Sequence, residues 1–231
     1  MKNYIGVPDG MTERLENFLN IRNTTSFNFS SLEPSVIVGR KGSGKSFTMR
    51  KFAEAAHGKA ERFVVARETI PPELDGMIKF TAEMPTASRT NTWQKIWDFA
   101  IHVSVVTFVL FDDNFSSRFI KDKKQGLDHL FSDYSDCLMG LKTPCRVYSA
   151  VQAILRQFQD YESFLEFYRS SECTNFLNTV GKLSSELPTI CIYLDALDEE
   201  LRKAPSLIID ITRALFYVCF NFVCGGEWPP D

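Results

Sequence analysis

The sequence predicts an α/β fold, a three-layer sandwich built on a mainly parallel sheet with a helical insertion, and three observations predict it. A glycine-rich loop at positions 39–46 follows a short β-branched run and precedes a helix-forming one. An apolar, β-prone run at 189–194 ends in Asp195. Between them, positions 91–187 carry apolar residues spaced by three and four. Strands separated by helical patterns call for a parallel sheet with helices on its faces. With 231 residues the chain has room for one such domain, placed at 34–231 behind a helical lead-in at 1–33.

The lead-in places Met11, Leu15, Phe18 and Leu19 on one helical face, with Thr12 available as a cap. A polar run at 23–31 connects it through Pro34 to Val36, Ile37 and Val38, which have the composition of a buried strand. Then come Gly39, Arg40, Lys41, Gly42, Ser43, Gly44, Lys45 and Ser46, satisfying G-x-x-x-x-G-K-[ST] at every position, and Phe47 opens a helical run to position 56. Glycines permit the backbone to turn successive N–H groups inward around a phosphate. The helix beginning near Lys45 adds its own donors and dipole. Lys45 is positioned to meet the β- and γ-phosphates, and the Ser46 hydroxyl to ligate Mg²⁺. Positions 39–47 therefore predict a phosphate-bearing nucleotide as the ligand.

Gly58 predicts the end of that helix, and F-V-V-A at 63–66 a second strand. Pro71 and Pro72 close this segment, and 74–89, punctuated by Gly76 and Pro85, reads as a loop or irregular insertion. From Asn91 or Thr92 a long helix carries Trp93, Ile96, Trp97, Ala100, Ile101, Val105, Phe108 and Val109. Positions 119–125 read as charged and exposed, 127–139 as a short helix and 140–144 as a turn. One amphipathic helix is expected over 148–168 and another over 172–187, stopped by Pro188.

The second constellation is T-I-C-I-Y-L-D-A-L-D-E-E at 189–200. Its first six residues read as a central parallel strand, with Asp195 where that strand ends. Ligands of open α/β sheets bind beyond the carboxyl ends of the strands, so Asp195 and Ser46 are expected to converge on one Mg²⁺. Asp198 and Glu199, in the following loop, are candidates for orienting or activating the water that attacks the γ-phosphate. Asp112 and Asp113 also follow an apolar run, but the helical spacing from Trp93 onward argues against a strand there.

Bulk properties set the boundaries. A net charge of −3 and a pI near 5.7 give no global attraction to nucleic acid. The basic residues gathered around the loop, from Arg40 to Arg67, suit an anionic nucleotide. The six cysteines form no C-x-x-C pair and have no histidine at metal-ligand spacing, as expected of core residues in a reducing compartment. The N-terminus lacks the apolar stretch of a secretory signal, and the apolar run 96–111, interrupted by Asp98 and His102, reads as a buried helix rather than a membrane span. A cytoplasmic protein is expected.

V-I-V-G-R-K-G-S-G-K-S together with I-Y-L-D-A-L-D-E-E resembles the P-loop ATPases of the STAND and NACHT type, closest to bacterial modules with a G-R-K-G-S-G-K-[ST] loop and a D-G-L-D-E acidic motif. Ala196 stands where the glycine of that motif is usual. The resemblance implies ATP with Mg²⁺, Lys45 on the phosphates, Ser46 and Asp195 on the metal, and Asp198 or Glu199 near the attacking water. It also implies hydrolysis of ATP to ADP and phosphate in the service of a regulatory switch, with a protein partner or further copies of the chain, including in defence against phage. Such a module would continue with a helix, met by 205–220, then a sensor strand and a helical lid. Positions 220–224 could form only a short strand, so the sensor and lid are expected to be missing. Two other readings stay open: a module that holds nucleotide without turning it over, and a small-molecule or nucleotide kinase.

Overall fold

A computed structural model of the chain describes residues 45–57, 62–65, 68, 70–119, 133–184, 187–195, 197 and 203–224. In chain order these form α1 (Lys45–His57), β1 (Arg62–Val64), α2 (Leu74–Ala82), a 3₁₀ turn (Thr86–Ser88), α3 (Arg89–Phe111), α4 (Asp113–Phe119), α5 (Val147–Gln157), α6 (Tyr161–Arg169), α7 (Ser171–Ser184), β2 (Thr189–Cys191) and α8 (Pro205–Cys224).

The helix α3 is the axis of the structure. Trp93, Ile96, Trp97, Phe99, Ala100 and Val103 are all completely buried and form one broad face of the helix, while Gln94, Lys95, Asp98 and His102 on the opposite side are only partly buried. So broad an apolar face needs several partners, and α5 and α8 make the most extensive contacts with it. The polar edges of its tryptophans are satisfied: Trp93 Nε1 donates to Thr81 Oγ1 at 3.1 Å and Trp97 Nε1 to the carbonyl of Ile211 at 3.2 Å. Phe99 meets Phe164, Phe167 and Phe176 edge-on, with ring centroids 6.3, 5.4 and 5.8 Å away, which brings α6 and α7 onto the same core. By length and composition, the stretch Thr86–Phe111 is also the one candidate membrane span among the described residues, and most of its apolar window is buried inside the protein.

This architecture overturns the expected three-layer sandwich. Of the described residues 72% are helical, and the sheet they form has two parallel strands of three residues each, too small to serve as a central layer. The physical reason lies in where the apolar surface is. Trp93, Trp97 and most of the described phenylalanines sit on helices long enough to bury one another, whereas the described β-prone runs are short. The strands pair in the register Arg62↔Thr189, Phe63↔Ile190 and Val64↔Cys191. Phe63 and Val65 pack with Phe108, Val109 and Phe115 in a smaller cluster beside the main core.

Several local expectations also change. The segment read as a loop from 74 holds α2, because Met77, Phe80 and Thr81 form a buried face that outweighs Gly76 in the first turn. The expected single helix over 148–168 is two. The backbone extends at Phe158, and Asp160 begins α6 by accepting a hydrogen bond from Ser163 N at 2.8 Å. At 220–224, α8 continues to Cys224, so the short strand does not form. The described part of 127–139 is turns rather than a helix over 134–139, and the turn that follows uses left-handed backbone at Met139 and Gly140. The helix through Asn91 and Val109 does form, and Asp112 caps the next one by accepting from Phe115 N at 2.8 Å. The alternative strand ending in Asp112 and Asp113 is thereby excluded. The lead-in 1–33, the run 36–38 and Gly58 lie outside the described residues.

Candidate functional site

Of the residues expected to hold phosphate, Lys45, Ser46 and Phe47 are described, and they form the first turn of α1. Gly39, Arg40, Lys41, Gly42, Ser43 and Gly44 lie outside the described residues. Lys45 and Ser46 are partly buried and Phe47 is buried. Lys51, one turn further on, holds its ammonium 5.8 Å from the centre of the Phe47 ring, and Arg50 pairs with Glu54 at 3.2 Å. The helix is anchored from below by Ala53 and Ala56, both buried, and α1 packs against β1. The first-turn N–H groups of a helix are unsatisfied by the helix itself and favour an anion.

From β1 the chain reaches Glu68, which forms an isolated parallel bridge with Leu194 beyond the end of β2. Glu68 N donates to Tyr193 O and Asp195 N donates to Glu68 O, each at 2.9 Å. The parallel pairing therefore continues, with interruptions, to Asp195, which is partly buried at the carboxyl end of the paired segment. Asp198 and Glu199 lie outside the described residues.

Glu68 itself escaped the sequence reading. Only 2% exposed, it accepts a hydrogen bond from Val147 N on Oε1 at 2.5 Å and another from Tyr148 N on Oε2. These are the first two amides of α5, so one carboxyl group closes the start of that helix. Burial pushes its pKa up from the ordinary 4.5 to about 7, against the opposing pull of the two amides and of Arg146. Tyr148, 3% exposed, returns to the strand end by donating its hydroxyl to Asp195 O at 3.0 Å. A charged residue two positions after F-V-V-A, at the tip of a predicted strand, was the available signal.

Beside this junction, Ile70, Pro72, Met139, Leu141, Tyr148 and Gln152 line part of an open cleft of about 590 Å³. Its rim carries the exposed ion pair between Arg156 and Glu73, 2.9 Å apart. Cys145, also in its wall, has its thiol pushed up to about 11 by burial and then by the nearby Glu68.

As a donor set, the Ser46 hydroxyl and the Asp195 carboxylate are hard oxygen ligands of the kind Mg²⁺ takes, with nucleotide phosphates and water supplying the remainder. Among the described residues no three His, Cys, Asp or Glu side chains are grouped to hold a metal by themselves. Comparison with known proteins finds no matching family model, no matching curated protein and no matching solved structure.

Proposed function

We propose that the chain binds Mg-ATP through Gly39–Phe47 and Asp195 and acts as a nucleotide-dependent regulatory module. The observation that carries this reading is the helix α1 over Lys45–His57: the last residues of a complete phosphate-loop motif, Lys45 and Ser46, lie on a helix, as the motif requires. The reading rests on the loop and the acidic motif, and does not require a sandwich fold. Lys45 neutralises the β- and γ-phosphates, the loop amides hold them in place, and Ser46 and Asp195 take the magnesium ion. When bound, the metal supplies charge neutralisation between the phosphates. Asp198 or Glu199 orients the attacking water and accepts its proton.

The test is a titration of a fluorescent ATP analogue into the purified chain. Wild type is expected to bind at least about tenfold more tightly than Lys45→Ala, since the lysine charge is lost next to two phosphates. Equal binding by the two would end the nucleotide reading. Phosphate release at the wild-type rate by both Asp198→Asn and Glu199→Gln would remove the water-activating role while leaving binding intact.

A further inference from the structure

We propose that Glu68 and Tyr148 are positioning residues for Asp195, fixing the backbone on either side of its carboxylate so that this group is held ready for the divalent cation of a bound nucleotide. The inference rests on the Mg-ATP reading and adds to it the residues that make Asp195 a preorganised ligand.

Both backbone hydrogen-bonding groups of Asp195 are taken up, each by a different residue of this pair. Its N–H is held by Glu68 O at 2.9 Å, and its carbonyl accepts the Tyr148 hydroxyl at 3.0 Å. The two holders are themselves joined, because the Glu68 side chain accepts from Tyr148 N. Three residues from three parts of the chain thus close a ring: the tip of the β1 segment, the first turn of α5 and the end of the β2 segment. Glu68 and Tyr148 are both buried, so the ring is sheltered from water while Asp195 keeps partial exposure. Hydrogen bonds shielded from solvent hold geometry more firmly than exposed ones. A metal ligand whose backbone is fixed before the ion arrives loses less freedom on binding it.

A merely structural role would lower stability without changing how magnesium affects nucleotide binding. The experiment therefore measures affinity for the fluorescent ATP analogue with Mg²⁺ and with EDTA, in wild type, Tyr148→Phe and Glu68→Gln, with the thermal transition of each recorded to verify folding. Wild type is expected to gain about tenfold in affinity from Mg²⁺. Tyr148→Phe, which removes one hydroxyl and keeps the buried ring, is expected to cut that gain to about threefold or less, leaving affinity in EDTA within about twofold of wild type. Glu68→Gln is expected to act in the same direction and keeps the test open if Tyr148→Phe does not fold. A full magnesium gain in either folded variant would overturn the positioning role of the residue changed. A wild type that binds no nucleotide at all would instead overturn the Mg-ATP reading, and one that binds equally well in EDTA would overturn the part assigned to Asp195.

Discussion

Trp97 donates its indole N–H to the main-chain carbonyl of Ile211 at 3.2 Å, linking the middle of α3 to the middle of α8 across 114 positions of sequence. Both residues are completely buried, and the Trp97 ring also lies 6.2 Å from those of Trp93 and Tyr148. One side chain therefore holds together the axis of the core, the last described helix and the helix that Glu68 caps.

Replacing Trp97 should separate its packing from its hydrogen bond. Trp97→Phe is expected to cost about 1–3 kcal/mol, from one lost buried hydrogen bond and a small void. Trp97→Ala is expected to cost about 3–5 kcal/mol, as large-to-small core changes do. Urea unfolding midpoints compared at constant slope would measure both, and equal losses would mean that the ring's packing adds nothing beyond the indole N–H.

Stability should respond to pH through Glu68. Its pKa is 4.5 in an ordinary setting and about 7 in the fold, so between these values the folded chain holds a proton that the unfolded chain has released. Raising pH through that window therefore removes stability; below it both forms are protonated, and above it the full penalty of the buried charge stands. The difference amounts to roughly 2–4 kcal/mol over the window. Glu68→Gln carries no charge to bury. The thermal midpoint of wild type should thus fall relative to that of Glu68→Gln as pH rises from 4.5 to 7, and parallel profiles would refute this.

The buried thiols should be inert while the fold holds. Burial raises Cys137 and Cys173 to about 12 and Cys145 to about 11, with nearby acidic groups adding to the effect, so almost no thiolate exists at pH 8. Iodoacetamide is expected to modify these three more than about tenfold more slowly in the native chain than in urea, as read by peptide mass spectrometry. Native-state labelling of Cys145 at the denatured rate would place its thiol in solvent and contradict its burial.

What could be read from the residues was local, and what could not was collective. The helix over Lys45–His57, the helix through Trp93 and Val109, and the strands at 63 and 189 follow from spacing and side-chain type, which act within a few residues. The sandwich did not follow, because the size of a sheet depends on how many strands find partners, and spacing along one run says nothing about that. Gly76 and Pro85 read as punctuation, yet Met77 and Phe80 had core contacts to gain that outweighed one glycine. The break at Phe158 was hidden because both sides are helical in pattern, and only the cap at Asp160 marks it. At the candidate site, the loop and Asp195 were legible as motifs. Glu68 was not, since its role comes from amides about 80 residues away.

The pairing of Arg62 with Thr189 has a consequence for how the chain reaches this state. Six of the eight described helices lie between those partners in sequence, so closing that loop early would cost entropy with only a few strand hydrogen bonds in return. Helices and their neighbours form from nearby segments, while such distant pairings generally wait until the intervening chain is compact. The two strands, and Asp195 with them, therefore come together late in folding. A mutation at Ile190 should speed unfolding more than it slows folding, and the junction built on Glu68 would be completed among the last parts of the molecule.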